Sequence, residues 1–262
     1  MKKPTIHFAH ANGFPAKTYN KLFSYLREDF HIGYLERHGH SPEFPVEDNW
    51  ITLRDELIHE LKKNYDEPII GMGHSFGGVL NLLAAFKEPE LFNALILLEG
   101  VIISPLSSFV IGILKSTNLI DKFSPSKATR RRRSTFKSKE EAFDHFKKRK
   151  KFSKFDEEAL RDFAEYGLVE DAGQFKLFIE PEVEAKIYRT LPNNLPNYRG
   201  LLKVPAVYIG GNNSKEARLA RLGFMKRHFP IEFEYVKGSH LFPFEKPLET
   251  SVKIKEFLSN II

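Results

Sequence analysis

Residues 71–78 read Gly71-Met72-Gly73-His74-Ser75-Phe76-Gly77-Gly78. The apolar run Pro68-Ile69-Ile70 leads into this stretch. Val79, Leu80, Leu82, Leu83 and Phe86 follow it at helical spacing, up to a stop before Pro89. Gly-x-Ser-x-Gly alone is weak, since chance supplies it in roughly one chain in ten of this length. Its setting is specific. A strand enters and a helix leaves, so the chain turns sharply at Ser75, with Gly73 and Gly77 keeping side chains out of the turn. A serine held in such a strained turn is a candidate nucleophile, and the simpler alternative is a glycine turn with an exposed serine.

The same alternation extends outward from this turn. Thr5–Ala9, residues 31–35, 68–72, 94–98, 204–209 and 233–236 are short apolar runs, and near-continuous apolar runs suit strands covered on both faces. Residues 50–64, 77–87 and 216–228 carry helical spacing between them. The pattern predicts an α/β fold of about six mostly parallel strands flanked by helices. It breaks between the fourth and fifth strands. Residues 103–195 show helical patterns only, including a capping-box start at Ser138-Lys139-Glu140-Glu141 and a helix from Asp156 to Gly167. The expected organisation is a core from 1–102 and 195–262, with a helical lid over 103–194.

Composition limits the chemistry. A chain of 262 residues can bury roughly 70–75% of the surface its unfolded form exposes, enough for a core without disulfides. There are no cysteines, which excludes thiol catalysis, thiolate metal sites and disulfide frameworks, and suits a reducing cytoplasm, the expected location. The N-terminal Met1-Lys2-Lys3-Pro4 leads into no apolar segment of signal-peptide length. The longest apolar stretch, Val101 to Leu114, is interrupted by Ser104, Pro105, Ser107 and Ser108, too short and too polar to span a bilayer.

Four motifs, in order, resemble the α/β-hydrolase superfamily: His10-Ala11-Asn12-Gly13-Phe14-Pro15, Arg37-His38-Gly39-His40-Ser41, Gly73-His74-Ser75-Phe76-Gly77-Gly78, and Gly238-Ser239-His240 before Glu245-Lys246-Pro247. The resemblance covers roughly 4–102 and 195–262 and implies an α/β-hydrolase fold without the family's first two strands. Within the insertion, Arg130 to Arg133, Ala159-Leu160-Arg161-Asp162-Phe163 and Pro181 to Ala185 are similar to capped serine esterases and lipase-like hydrolases.

The resemblance implies roles. Ser75 is the nucleophile and His240 the general base that takes its proton and returns it to the leaving group. One oxyanion donor is the N–H of Phe76. The second comes from the loop beginning at His10. Ala11 stands where glycine is usual, so Asn12 is preferred and Phe14 is the alternative. The family places its acid in the loop that here reads Ile209-Gly210-Gly211-Asn212-Asn213-Ser214, and Asn213 occupies that place. An amide stabilises imidazolium poorly and favours the wrong tautomer. Glu99, which ends the strand before the insertion, is the preferred acid. A carboxylate after four apolar residues needs a partner if buried. The alternatives are a dyad with Asn213 and a structural Glu99.

The expected function is ester hydrolysis through an acyl-enzyme, with no metal and no organic cofactor. Thioester, lactone and carbon–carbon substrates stay open, because fold does not decide among them. In a different class, a decayed site could leave a binding protein with a basic working surface. Residues 122–154 hold fourteen Lys/Arg against three Asp/Glu, a balance of +11 in a chain of net charge +6. The runs Thr129 to Arg133 and Lys147 to Lys151 suit an anionic substrate, a weak contact with an anionic surface, or a solvated face. The interleaved Phe136, Phe143, Phe146, Phe152 and Phe155 fit the buried side of helices, and no nucleic-acid motif accompanies the charge. The expected partner is a small ester with an apolar acyl part, bound beside Phe109, Ile111, Ile113 and Leu114.

Overall fold

The computed structural model describes residues 3–261. The chain builds β1 (Thr5–Ala9), β2 (His31–Tyr34), β3 (Ile69–His74) and β4 (Phe92–Leu98). It then crosses an insertion carrying β5 (Thr135–Phe136), β6 (Leu168–Asp171) and β7 (Gln174–Leu177), and returns with β8 (Ala206–Gly211) and β9 (Glu232–Val236). Six strands form one sheet in the order β2-β1-β3-β4-β8-β9, every pairing parallel. A parallel sheet needs crossovers on its faces, and α1 (Asn20–Leu26), α2 (Ile51–Asn64) and α3 (Phe76–Lys87) supply the first of them.

Strand residues alternate between two apolar clusters, as a period of two requires. Ile70, Met72, Ile96 and Leu98 pack on the side of α1 and the helix Pro247–Ser259. Ile69, Leu95, Leu97 and Tyr208 pack on the side of α2 and α3. All strand C-termini therefore point the same way. The loops after β1, β3, β4, β8 and β9 gather at one edge, where ligands bind in open α/β sheets.

The insertion holds α4 (Pro105–Ser116), α5 (Ile120–Phe123), α6 (Ser126–Arg131), α7 (Lys139–Lys147), α8 (Glu157–Tyr166) and α9 (Pro181–Arg189). It is not wholly helical, which corrects the sequence expectation. β5, β7 and β6 form a separate antiparallel sheet. Ala172 and Gly173, both at positive φ, make the two-residue turn between β6 and β7. These strands are short and charged, so their alternation is too brief to read. Phe136, Phe146, Phe152 and Phe163 are buried in the same cluster as the main sheet, so the insertion shares its core with the sheet below it. Ser138 and Asp156 cap α7 and α8 with their side chains.

Two further corrections concern helices. The expected helix over 216–228 is broken into α10 (Lys215–Ala220) and α11 (Gly223–His228) by Arg221, which takes a left-handed conformation. α4 turns Phe109 and Ile113 outward, 67% and 45% exposed, so only Ile111 and Leu114 of the four expected residues face the cavity described below. No helix among the described residues is long and apolar enough to cross a membrane.

Candidate active site

Ser75 sits between β3 and α3 with φ 52° and ψ −110°, a conformation that costs on the order of 1–3 kcal/mol and needs its surroundings to hold it. The surroundings do so through close approach. A Cβ on Gly73 would lie 2.3 Å from the carbonyl carbon of Gly77, and one on Gly77 would lie 2.0 Å from the Ala9 carbonyl oxygen. The turn thus packs backbone to backbone against the end of β1. The Ser75 N–H donates to Leu98 O at 2.8 Å, tying the turn to the end of β4.

Glu99 follows directly after β4, also at positive φ (52°), and is buried. Its carboxylate accepts three hydrogen bonds. The Gly211 N–H reaches Oε1 at 2.7 Å, the Ser214 hydroxyl reaches Oε2 at 2.8 Å, and His240 Nδ1 lies 2.5 Å from Oε2. A carboxylate only accepts here, so His240 carries its proton on Nδ1 and leaves Nε2 free. Asn213 is exposed, and its backbone N–H donates to Gly238 O. Among the described residues the Nδ1 partner of His240 is Glu99, and Asn213 makes no bond to the ring.

The loop after β1 is held by its neighbours. His10 Nδ1–H donates to Ala11 O at 2.9 Å, and Nε2 accepts the His38 N–H at 2.8 Å. Both bonds fit a neutral ring, and burial lowers the pKa of His10 well below the ordinary value, aided by the His38 charge. His38 in turn bonds the buried Glu56 at 2.9 Å. The Ala11 N–H goes to Tyr19 Oη, and the Phe14 N–H closes a turn on Ala11 O at 3.0 Å. The backbone N–H groups of Asn12 and Phe76 meet no protein acceptor among the described residues. The Asn12 side chain donates to Glu184 O at 3.0 Å, which fixes the loop against α9.

His74 points away from Ser75. Its Nδ1 accepts from Tyr19 Oη at 2.7 Å, and its Nε2–H donates to His240 O at 2.9 Å. Burial keeps it neutral, with a pKa well below the usual value. Tyr19, Ser214 and the Gly211 N–H are support residues that the sequence reading missed. Ser214 carried a faint signal, since Ser214-Lys215-Glu216-Ala217 has the form of a helix N-cap.

Ser75, Phe76, Asn12, Phe14, Glu99, His240 and Asn213 all line one cavity of about 1230 Å³, which runs between the strand ends and the insertion. His10 lies behind it, fully covered. No hydrogen bond joins Ser75 Oγ to His240 among the described residues. No group of three or more His, Asp or Glu among the described residues is placed to hold a metal ion.

The profile of the alpha/beta hydrolase family matches residues 8–253. The chain belongs to the alpha/beta hydrolase family. This alpha/beta hydrolase is 30% identical over 112 residues to monoglyceride lipase of Rattus norvegicus, covering 39% of the chain and 36% of the relative. It is 28% identical over 114 residues to the type I acyl-CoA thioesterase mpaH of Penicillium roqueforti (strain FM164), covering 37% of the chain and 26% of the relative. The chain thus spans about a third or less of the length of these two curated relatives. Among solved structures, E-2-(acetamidomethylene)succinate hydrolase superposes with a TM-score of 0.80 at 20% identity, over 98% of this chain and 92% of the other. That likeness is one of fold.

Proposed function

We propose that the protein is a serine hydrolase cleaving carboxylic esters, with Ser75, His240 and Glu99 as its triad. The observation that carries this reading is the 2.5 Å contact between Glu99 Oε2 and His240 Nδ1, in the cavity that Ser75 also lines. Ser75 Oγ attacks the ester carbonyl while His240 Nε2 takes its proton. The buried Glu99 carboxylate holds the imidazole in the required tautomer and stabilises the imidazolium. The N–H groups of Phe76 and Asn12 receive the developing oxyanion, each donor contributing on the order of 2.7–4 kcal/mol. Asn12 is favoured over Phe14 because the Phe14 N–H already closes a turn. His240 then protonates the leaving alcohol, and water hydrolyses the acyl-Ser75 ester.

Residues 103–194 act as a cap over this site, contributing the apolar wall of Ile111, Leu114, Phe146 and Phe152. The relatives named for a lipase and a thioesterase use substrates whose acyl carbonyl can be attacked in the same way, which supports an acyl ester as substrate class.

A fluorophosphonate probe tests the assignment directly. The folded protein is expected to be labelled at Ser75, with labelling lost in Ser75→Ala and on heat unfolding. An intact, folded protein that takes no label at Ser75 overturns the reading. A panel of p-nitrophenyl esters of increasing acyl length then measures chain preference.

A further inference from the structure

The cavity is unusual in its charge. Eight lysines and arginines line it against four glutamates. The glutamates are largely committed: Glu99 to His240, Glu245 to the N–H and hydroxyl of Ser239, and Glu184 to Arg132. Some cations are likewise paired, Arg132 with Glu184 and Arg133 with Glu141.

Lys151 differs from these. It follows α7 in the short turn Lys150–Phe152, and its ammonium lies 4.6 Å from the centre of the Phe14 ring, in the loop that also carries Asn12. No carboxylate lies within ion-pair distance of it among the described residues. It is exposed and lies on the cavity wall, so a ligand inside the cavity can reach it. Atoms of the surrounding walls crowd the ammonium although it stays open to solvent, and this lowers its pKa, partly offset by the charge of Glu184 and reinforced by that of Arg132. Its charge also reaches the buried His74 behind Ser75. An ammonium held over an aromatic ring on the cavity wall, without a counter-ion, is a receptor for an anion.

We propose that Lys151 binds a carboxylate carried by the substrate, so that the preferred ester is an anion. This deepens the serine-hydrolase reading above and rests on it. The neighbouring guanidinium of Arg132 is already neutralised by Glu184, whereas Lys151 is unpaired and is held over the Phe14 ring, in the loop that carries Asn12. Ile111, Leu114 and Ile120 give the same cavity an apolar wall for the remainder of the molecule.

Matched ester pairs test it. One pair places the charge on the acyl side: mono-4-nitrophenyl glutarate and its neutral methyl ester. The other places it on the alcohol side: 3-acetoxybenzoate and 3-acetoxybenzamide. At least one anion is expected to exceed its neutral twin about tenfold or more in kcat/KM, the scale of a hydrogen bond to a charged group. That ratio should fall to near one in Lys151→Gln and persist in Lys151→Arg. Lys148→Gln, in the same basic run but off the cavity wall, should leave it alone. If neither anion is preferred, or Lys148→Gln lowers the ratio as far as Lys151→Gln, the carboxylate receptor is wrong while the hydrolase reading stands. If none of the four esters turns over and Ser75 takes no fluorophosphonate label, the hydrolase reading fails and this inference falls with it.

Discussion

Glu99 and His240, 141 positions apart in sequence, meet at 2.5 Å across the end of β8. β8 lies between β4 and β9, so the carboxylate must reach past a whole strand. It does so from a left-handed backbone turn and collects the Gly211 N–H of β8 on the way. Glu99→Gln keeps the size but presents an amide to the imidazole. The expected result is a loss of kcat approaching 10⁴-fold on a p-nitrophenyl ester, by analogy with the serine-protease acid. A loss of only a few-fold would remove Glu99 from the triad. Asn213→Ala, at an exposed position without a bond to His240, should lower kcat far less.

Ser214 joins two duties. Its hydroxyl donates to Glu99 Oε2 and accepts the Ala217 N–H at the start of α10. Ser214→Ala removes a helix cap, costing about 1 kcal/mol and lowering the melting temperature by roughly 2–4 °C. It also leaves Glu99 with one donor fewer, which should reduce kcat by at most about tenfold. Ser214→Thr should restore both. Calorimetry and steady-state kinetics on the three proteins separate the cap from the site.

The parts legible in the sequence were those with local signatures. Apolar runs marked the six strands, and the glycines around Ser75 marked the turn. The order of motifs placed His240 near Ser75, and an isolated carboxylate after Ala94-Leu95-Ile96-Leu97-Leu98 drew attention to Glu99. What stayed hidden depends on contacts between distant segments. Tyr19 looks like any amphipathic aromatic, and nothing near it in sequence says that its hydroxyl joins the loop after β1 to His74. Lys151 looks like one of five consecutive basic residues, and only the folded insertion distinguishes it from Lys148. The strands β5 to β7 are too short and too charged for a period of two to show.

Acid should destabilise the fold through buried neutral histidines. His7 is fully buried with Nε2 unpartnered, and burial, then the His38 charge, lower its pKa to about 3. The folded pKa lies below the unfolded value of about 6.5, so the unfolded state binds the proton first. Stability from this group is complete above pH 6.5 and is lost as pH falls toward 3. At pH 5.5 the loss is on the order of 1 kcal/mol for His7 alone. His10 and His74, lowered by burial in the same direction, add to it. Urea unfolding should give a lower midpoint at pH 5.5 than at pH 7.5. Equal midpoints would mean that these rings take up protons inside the fold.

Tyr19 offers the sharpest test of how the site is held together. Its hydroxyl accepts the Ala11 N–H and donates to His74 Nδ1, and His74 Nε2–H donates to His240 O. Each donor and acceptor in this chain is determined, because the carbonyl of His240 can only accept. Tyr19→Phe preserves the ring, which packs against Phe8, Phe23 and Phe244, and removes only the hydroxyl. Two buried groups then lose their partner, at about 1–3 kcal/mol each. His74 also becomes free to move its proton to Nδ1, which abandons His240 O and loosens the loop carrying His240. The expected outcome is a stability loss of roughly 2–6 kcal/mol by urea unfolding, with a fall in kcat well below the melting temperature. A stable Tyr19→Phe with unchanged kcat would show that the loops after β1 and β9 are positioned without this chain.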